Sequence, residues 1–379
     1  MENNIISRKL DFDTLLVKYP QLAPYFKGGK YDFRNNDAVI AITEVLLKEW
    51  GLKVHIHSDR LCPRIFNRLD YLEFMRRLLG SWTKHVGLDV GTGHLAIYAL
   101  LGAKLFDLQF VGTDIDQESL ELARDIVEQN HLQEKIQLVL TRPQEPLFSR
   151  FVELLGSRNG FVVCNPPFYS SFDEMERRAE IKSGPRFPTA AANELVVEGG
   201  EVAFVHRMIL ESETVKASSI RWFSSLIGKY DSLKPLISLL RARKIDNFGV
   251  HEFRSSQALA GTRRWILFWS FQPERPDADL FNSIVHQKTR RELQCTPEKL
   301  LERIDGLENV DKTRNSGSVV LELPGDVWSR AYRRQKRFLQ DRAQVEVLLG
   351  NPIKLIWKSG HNYQLFESFY NWCKRIEQS

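Results

Sequence analysis

Through the middle of the chain, short apolar runs alternate with longer stretches whose apolar residues recur at helical spacing. The short runs are Val86–Val90, Phe110–Thr113, Ile136–Leu140 and Phe161–Cys164, and they read as buried strands. Helical spacing marks Leu95–Leu101, Asp114–Asn130 and residues 146–156. In the second of these, Leu120, Leu122, Ala123, Ile126 and Val127 make one face, with Asp116 as the expected N-cap. Strands and helices alternating in this way predict an α/β fold with a doubly wound sheet.

Before this region, the pattern predicts a short helix ending ahead of Pro20, a helix over Asp37–Trp50 with cap candidates in Asn35–Asp37, and a helix over Leu69–Leu79. Arg68 stands just before the last of these and, taken alone, reads as a solvated surface arginine. After it, a helix opens at Glu201, Arg221–Lys229 reads as strand and turn, and Ser232–Arg243 as an amphipathic helix. Gly249–Phe253 and Arg264–Phe271 read as a closing strand pair, with Trp265, Phe268 and Trp269 in the core. Pro273–Pro276 marks a boundary. Beyond it the pattern gives a strand or helix within Phe281–Thr296, a helix over Thr296–Ile304 and a strand over Ser318–Leu323. A basic helix over Val327–Leu349, a strand over Lys354–Lys358 and a last helix over Tyr363–Ile376 follow. The expected organisation is an N-terminal extension (1–80) belonging to the catalytic unit, a core (81–272) and a small α+β C-terminal domain (277–379).

Chemistry sits where the strands end. Gly91-Thr92-Gly93 follows the first strand inside Asp89-Val90-Gly91-Thr92-Gly93, a turn that lets backbone approach a ligand. It lacks the third glycine of the dinucleotide fingerprint and better fits the amino-acid part of S-adenosylmethionine. Asp114 ends the second strand, where a carboxylate can accept from both ribose hydroxyls. Asn165-Pro166-Pro167-Phe168 ends the fourth. The Asn165 side-chain oxygen and the Pro166 carbonyl can accept the two hydrogens of an exocyclic amine. Together they would turn its lone pair toward a methyl donor and stabilise the charge that develops on nitrogen. Phe168 offers a face on which an extruded base can stack. Three signals in this order match the layout of a class I methyltransferase.

Composition narrows the setting. The 379 residues, 43% hydrophobic and 27% charged, suit one large globular domain or two smaller ones. Cys62, Cys164, Cys295 and Cys373 lie far apart with no CxxC pair, which argues against a zinc site and a disulfide framework and for a reducing compartment. No metal is expected. The N-terminus shows no apolar leader, and no run approaches the ~20 residues of a membrane span. A net charge of +5 permits a nucleic-acid partner. Arg177, Arg178, Lys182 and Arg186 lie in a polar Gly/Pro-containing segment (170–192) that suits a loop over an anionic substrate. Arg333, Arg334, Lys336 and Arg337 form a second basic cluster, suited to a phosphate-binding face or to nuclear import.

The chain from about Asp11 to Phe271 resembles the methyltransferase-like protein 16 family of RNA adenine N6-methyltransferases, and more distantly the bacterial enzymes that methylate an adenine of 23S ribosomal RNA. The likeness rests on Lys18-Tyr19-Pro20, Arg68-Leu69-Asp70-Tyr71, the Asp89–Gly93 motif, Val127-Glu128-Gln129-Asn130 and Asn165–Phe168. It continues through Glu198-Gly199-Gly200-Glu201, Leu226-Ile227-Gly228-Lys229 with Ser232-Leu233, Glu252-Phe253, Arg264-Trp265 and Trp269-Ser270-Phe271. The resemblance implies a class I (Rossmann-like) S-adenosylmethionine-dependent methyltransferase. S-adenosyl-L-methionine is the expected donor, S-adenosyl-L-homocysteine the product, and structured RNA the partner, with U6 spliceosomal RNA the family's best-known target and the nucleus the expected location. It also implies that Arg68 contacts the methionine carboxylate of the cofactor, beside Asp89, Gly91, Thr92, Gly93, Asp114 and Asn165, and that Lys229 belongs with the RNA-binding residues. Asp114 stands where close relatives carry glutamate. Glu145 and Pro146 stand where animal members carry lysine and threonine near the cofactor.

Two other readings stay open on the residues. Asn-Pro-Pro-aromatic motifs also serve methylation of a protein glutamine amide, another planar nitrogen. A non-catalytic RNA-binding module could keep the same fold.

Overall fold

The computed structural model describes residues 11–80, 84–167, 199–254, 263–280, 288–329, 332 and 342–376. The chain divides into two compact units: Met1–Lys244 with Glu252–Trp269, and Ile245–His251 with Ser270–Ser379.

The first unit opens with α1 (Phe12–Lys18), which stops before Pro20. A small hairpin follows, β1 (Phe26–Lys27) and β2 (Lys30–Tyr31), turning through Gly28-Gly29. α2 (Asn36–Glu49) starts at Asn35, whose side-chain oxygen accepts from the Asp37 and Ala38 N–H groups. α3 runs over Ile65–Leu79 and so begins ahead of the predicted Leu69. Ile65, Phe66 and Leu69 extend its buried face, and Pro63 leaves an N–H-free residue at its approach. As a consequence Arg68 lies inside the helix and is only 9% exposed, not on the surface as its local sequence suggests.

The alternating core then runs β3 (His85–Val90), α4 (Ile97–Phe106), β4 (Gln109–Asp114), α5 (Gln117–Gln129), β5 (Ile136–Leu140), α6 (Ser149–Leu155) and β6 (Asn159–Cys164). After it come α7 (Gly200–Ser212), β7 (Ile220–Ile227), α8 (Tyr230–Ala242), β8 (Asn247–Arg254) and β9 (Arg263–Ser270). The sheet order is β5-β4-β3-β6-β7-β9-β8. β5 through β7 pair in parallel, and β9 enters antiparallel to β7. Both faces of β3 and β6 are covered, which is why their sequences are continuous apolar runs rather than alternating ones. Trp265, Phe268 and Trp269 of β9 are buried, as expected.

Winding starts at β3 and goes outward to β4 and β5, then returns to place β6 on β3's other side. The reversal point between β3 and β6 is where open α/β sheets bind ligands. Elsewhere in the core, Gly87 of β3 and Gly102 of α4 leave room for the Phe110 ring of β4, since a Cβ on either would come within 2.3 Å and 2.2 Å of it.

The second unit holds β10 (Arg290–Leu293), α9 (Pro297–Asp305), β11 (Asp311–Asn315), β12 (Ser318–Leu323), β13 (Ala343–Leu348), β14 (Ile353–Gly360) and α10 (Tyr363–Lys374). Its sheet, ordered β10-β14-β13-β12-β11, is antiparallel throughout. Leu300 and Ile304 of α9 and Phe366 and Phe369 of α10 share its core with Val345, Val347 and Trp357. The predicted helix over Val327–Leu349 is corrected here. Its last part is β13, where buried Ala343, Val345 and Val347 alternate with half-exposed Gln344, Glu346 and Leu348. That period of two is a strand signal. β11 carries no apolar residue and so leaves no strand signal in the sequence; it is an edge strand held by its ladder to β12.

Candidate active site

β3 and β6 leave the sheet side by side. Val90 pairs with Cys164, so the Gly91–Gly93 turn and Asn165 begin at adjacent strand ends. Gly91 and Gly93 have φ of 71° and 67°, in the left-handed region that a side chain would strain. The turn is stitched to the end of β4. Gly91 and Thr92 both donate their N–H to the Thr113 carbonyl at 2.9 Å, and Gly93 N–H donates to Asp114 Oδ2 at 2.8 Å. The other Asp114 oxygen accepts from Asp116 N–H at 3.0 Å. Asp116 caps α5 through Ser119 N–H at 3.1 Å, as its position predicts.

These elements wall a cavity of about 490 Å³. The structure brings Arg68, Asp89, Gly91, Thr92, Gly93, Asp114, Asn165, Pro166 and Pro167 to it. Lys229 is not among its lining residues; it stands half-exposed at the start of α8. Phe168, Arg177, Arg178, Lys182, Arg186, Arg333, Arg334, Lys336 and Arg337 lie outside the described residues.

Charge is arranged along the cavity. Asp89 is 1% exposed, and burial pushes its carboxyl up to about 7, against the Thr92 hydrogen bond and the Arg68 charge, which pull it down. Burial also raises the Asp114 carboxyl, opposed by the backbone N–H groups it accepts from. The Arg68 guanidinium donates to the Tyr98 hydroxyl at 3.0 Å and lies 5.3 Å from the centre of that ring. Arg68 Nε, Asp89 Oδ1 and Asn165 Oδ1 are buried polar atoms of cavity residues with no hydrogen-bond partner among the described residues. Such atoms cost free energy unless a ligand meets them. A cation and an anion at one end suit an α-amino acid, and Asp114 suits a diol. The residues present therefore fit S-adenosylmethionine. Among the described residues, no group of three or more His, Cys, Asp or Glu is placed to hold a metal ion. No helix among them is long and apolar enough to cross a membrane.

The sequence assigns no place in the site to several residues that shape it. Tyr98 orients Arg68. Arg60, on the segment that brings Leu61 and Pro63 to the cavity, binds Asp116 at 3.3 Å and Glu118 at 2.8 Å. Glu201, 2% exposed, accepts from Gly228 N–H, Lys229 N–H and Ser232 Oγ at 2.8, 3.1 and 2.6 Å. Each is an ordinary residue type on a helix or loop, and only the packed structure reveals its partner.

A family model described as RNA methyltransferase matches residues 2–273. The chain is 31% identical over 377 residues to the U6 small nuclear RNA (adenine-(43)-N(6))-methyltransferase of Schizosaccharomyces pombe, covering 90% of this chain and 94% of that protein. It superposes with a TM-score of 0.60 on the human Mettl16 catalytic domain in complex with a MAT2A 3′UTR hairpin, at 34% identity over 69% of this chain and 91% of that one. It also superposes on the N-terminal domain of human METTL16 in complex with S-adenosylhomocysteine, at 32% identity and a TM-score of 0.56, covering 71% of this chain and 97% of that one.

Proposed function

The chain belongs to the RNA methyltransferase family, and on that premise we propose that it methylates N6 of an adenosine in structured RNA, with S-adenosylmethionine as donor. Likeness to the fission-yeast relative supports U6 small nuclear RNA as the substrate, and with that substrate the nucleus is the proposed place of action. One observation carries the reading: Asn165 Oδ1 is buried beside the cavity with no hydrogen-bond partner among the described residues.

S-adenosylmethionine supplies an electrophilic methyl group when bound. The chain's own residues do the rest. Arg68 takes the carboxylate and Asp89 the amino group of its amino-acid end, Gly91–Gly93 lie against it, and Asp114 accepts from the ribose hydroxyls. Asn165 Oδ1 accepts one hydrogen of the target amine and the Pro166 carbonyl accepts the other. Two fixed acceptors orient the nitrogen lone pair and stabilise its growing positive charge. Pro167 keeps this turn stiff. The proton leaving the amine is acidified by bond formation, so no strong base is required. Phe168 stacks the extruded base. Arg177, Arg178, Lys182, Arg186 and Lys229, together with Arg333, Arg334, Lys336 and Arg337 of the C-terminal region, neutralise RNA phosphates.

The test is incubation of purified protein with radiolabelled S-adenosylmethionine and total RNA, followed by nucleoside analysis. Label in N6-methyladenosine, concentrated in U6 RNA, is the expected result. Label on protein glutamine, or no label in RNA, would overturn the proposal.

A further inference from the structure

One wall of the cavity is a loop without regular structure, residues 141–148, between β5 and α6. Pro143, Glu145, Pro146 and Leu147 all line the cavity, so the shape of this loop is part of the shape of the site. Few of its backbone groups are held by regular ladders, and a single turn of α7 takes over that task. Arg207 Nη1 donates to the Pro143 carbonyl at 2.7 Å and Nη2 to the Glu145 carbonyl at 2.7 Å. Arg207 Nε donates to Glu211 Oε1 at 2.5 Å, and Glu211 Oε2 accepts from Leu147 N–H at 2.6 Å. The Arg207 side chain is 35% exposed and that of Glu211 23% exposed. Both are committed: all three guanidinium nitrogens and both carboxylate oxygens point at protein partners. Arginine suits this task because its rigid planar fork can meet two carbonyls and a carboxylate at once.

α7 is itself anchored. Its Glu201 accepts from the turn at Gly228 and Lys229 and from Ser232, at the start of α8. Between the two anchor points, Ala203 and Phe204 of α7 line the cavity, and so does Arg207 itself, whose guanidinium nitrogens are all turned to protein partners. The helix thus acts as a bar fixed at both ends, with the 143–147 segment tied to one of them.

We propose that Arg207 and Glu211 are positioning residues for cofactor binding: they hold the 143–147 segment in the shape that closes the cavity, without touching the atoms that react. The inference rests on reading the cavity as the S-adenosylmethionine site. Loosening the loop should weaken cofactor binding while leaving the acceptors at Asn165 and Pro166 in place.

The test measures affinity for S-adenosylhomocysteine by calorimetry and, separately, KM for each substrate and kcat, in Arg207→Gln, Arg207→Lys and Glu211→Gln. For Arg207→Gln the expected result is a Kd raised about 10-fold or more, with kcat at saturating cofactor and KM for RNA changed less than about threefold. Arg207→Lys should fail to restore affinity, because one ammonium cannot span three acceptors. Glu211→Gln keeps an oxygen for Leu147 N–H and should show a smaller rise. An unchanged Kd in folded Arg207→Gln overturns the inference, and so does a fall in kcat with Kd unchanged. Should Arg207→Gln not fold, an unchanged Kd in Glu211→Gln overturns it. If the wild-type protein itself binds no S-adenosylhomocysteine, the cofactor reading of the cavity fails, and the inference with it.

Discussion

Thr92 donates its hydroxyl to one oxygen of Asp89 at 2.7 Å, while the other Asp89 oxygen is buried with no hydrogen-bond partner among the described residues. The carboxyl is thereby half satisfied, and burial holds it up at about 7. A bound cationic amino group would favour the ionised form and pull this value down. Cofactor affinity should then rise with pH and level off above about 7. Below that, it should fall by up to about tenfold per pH unit. Calorimetric Kd values for S-adenosylhomocysteine from pH 5.5 to 8.5, in buffers of different ionisation enthalpy, would reveal the linked proton. An affinity independent of pH would remove Asp89 as the amino-group partner.

The same carboxyl should cost stability. Its folded value lies above the unfolded one, so the native state binds more protons between about pH 4 and pH 7. Stability contributed by this group therefore falls as pH rises through that window, and the penalty is complete above it. Asp89→Asn removes the penalty and keeps an acceptor for Thr92. At pH 8 it should stabilise the cofactor-free protein by about 1–2 kcal/mol while abolishing detectable cofactor binding. Chemical denaturation at pH 8 and at pH 5 would check it, since the gain should shrink at the lower pH.

Asn165→Ala should lower kcat by about 10²–10³-fold, the usual cost of removing one preorganised partner of transition-state charge. Its Kd for S-adenosylhomocysteine should change little. Turnover near wild type would remove Asn165 from the mechanism.

Tyr98 holds Arg68 from a neighbouring helix, through the hydroxyl at 3.0 Å. Tyr98→Phe keeps the ring and frees the guanidinium. A loss of about 0.5–1.5 kcal/mol in cofactor binding is expected, with kcat unchanged. Parallel calorimetry on both proteins would decide it.

At Gly102 two effects compete. Alanine is the better helix former by about 1 kcal/mol. Its Cβ would stand 2.2 Å from the Phe110 ring, which also packs so closely on Gly87 that a Cβ there would come within 2.3 Å of it. Phe110 is 1% exposed and has nowhere to go. Overpacking should win, and Gly102→Ala should destabilise by about 1–3 kcal/mol, read from the denaturation midpoint.

The chemistry at strand ends was legible because a few residue types at fixed places carry it. Gly91 and Gly93 advertise a left-handed turn, and Asn165-Pro166-Pro167 stops a strand abruptly. Arg68 was different. Its local sequence suggested solvent, and only family likeness suggested a ligand; burial inside α3 follows from Ile65 and Phe66 carrying the helix backward. Tyr98, Arg207 and Glu211 were illegible for a physical reason. Their roles depend on partners far away in sequence, the Arg68 side chain for Tyr98 and backbone groups of the 143–147 segment for Arg207 and Glu211, which no periodicity encodes. In the second unit, Ala343–Leu348 is a strand and not the end of the expected basic helix, and its alternation of buried and half-exposed residues is a short period-two signal next to a longer basic run.

The cavity draws on residues from Leu61 to Arg207. β6 must pair with β3 across two intervening strand–helix units, and α7 must then arrive to complete the wall. Contacts this distant along the chain close late in folding. During synthesis, then, a nascent chain cannot grip its cofactor until α7 has cleared the ribosome. The apolar edge of β6 stays open until β7 and β9 have followed α7, so chaperone demand should fall only once those strands have emerged.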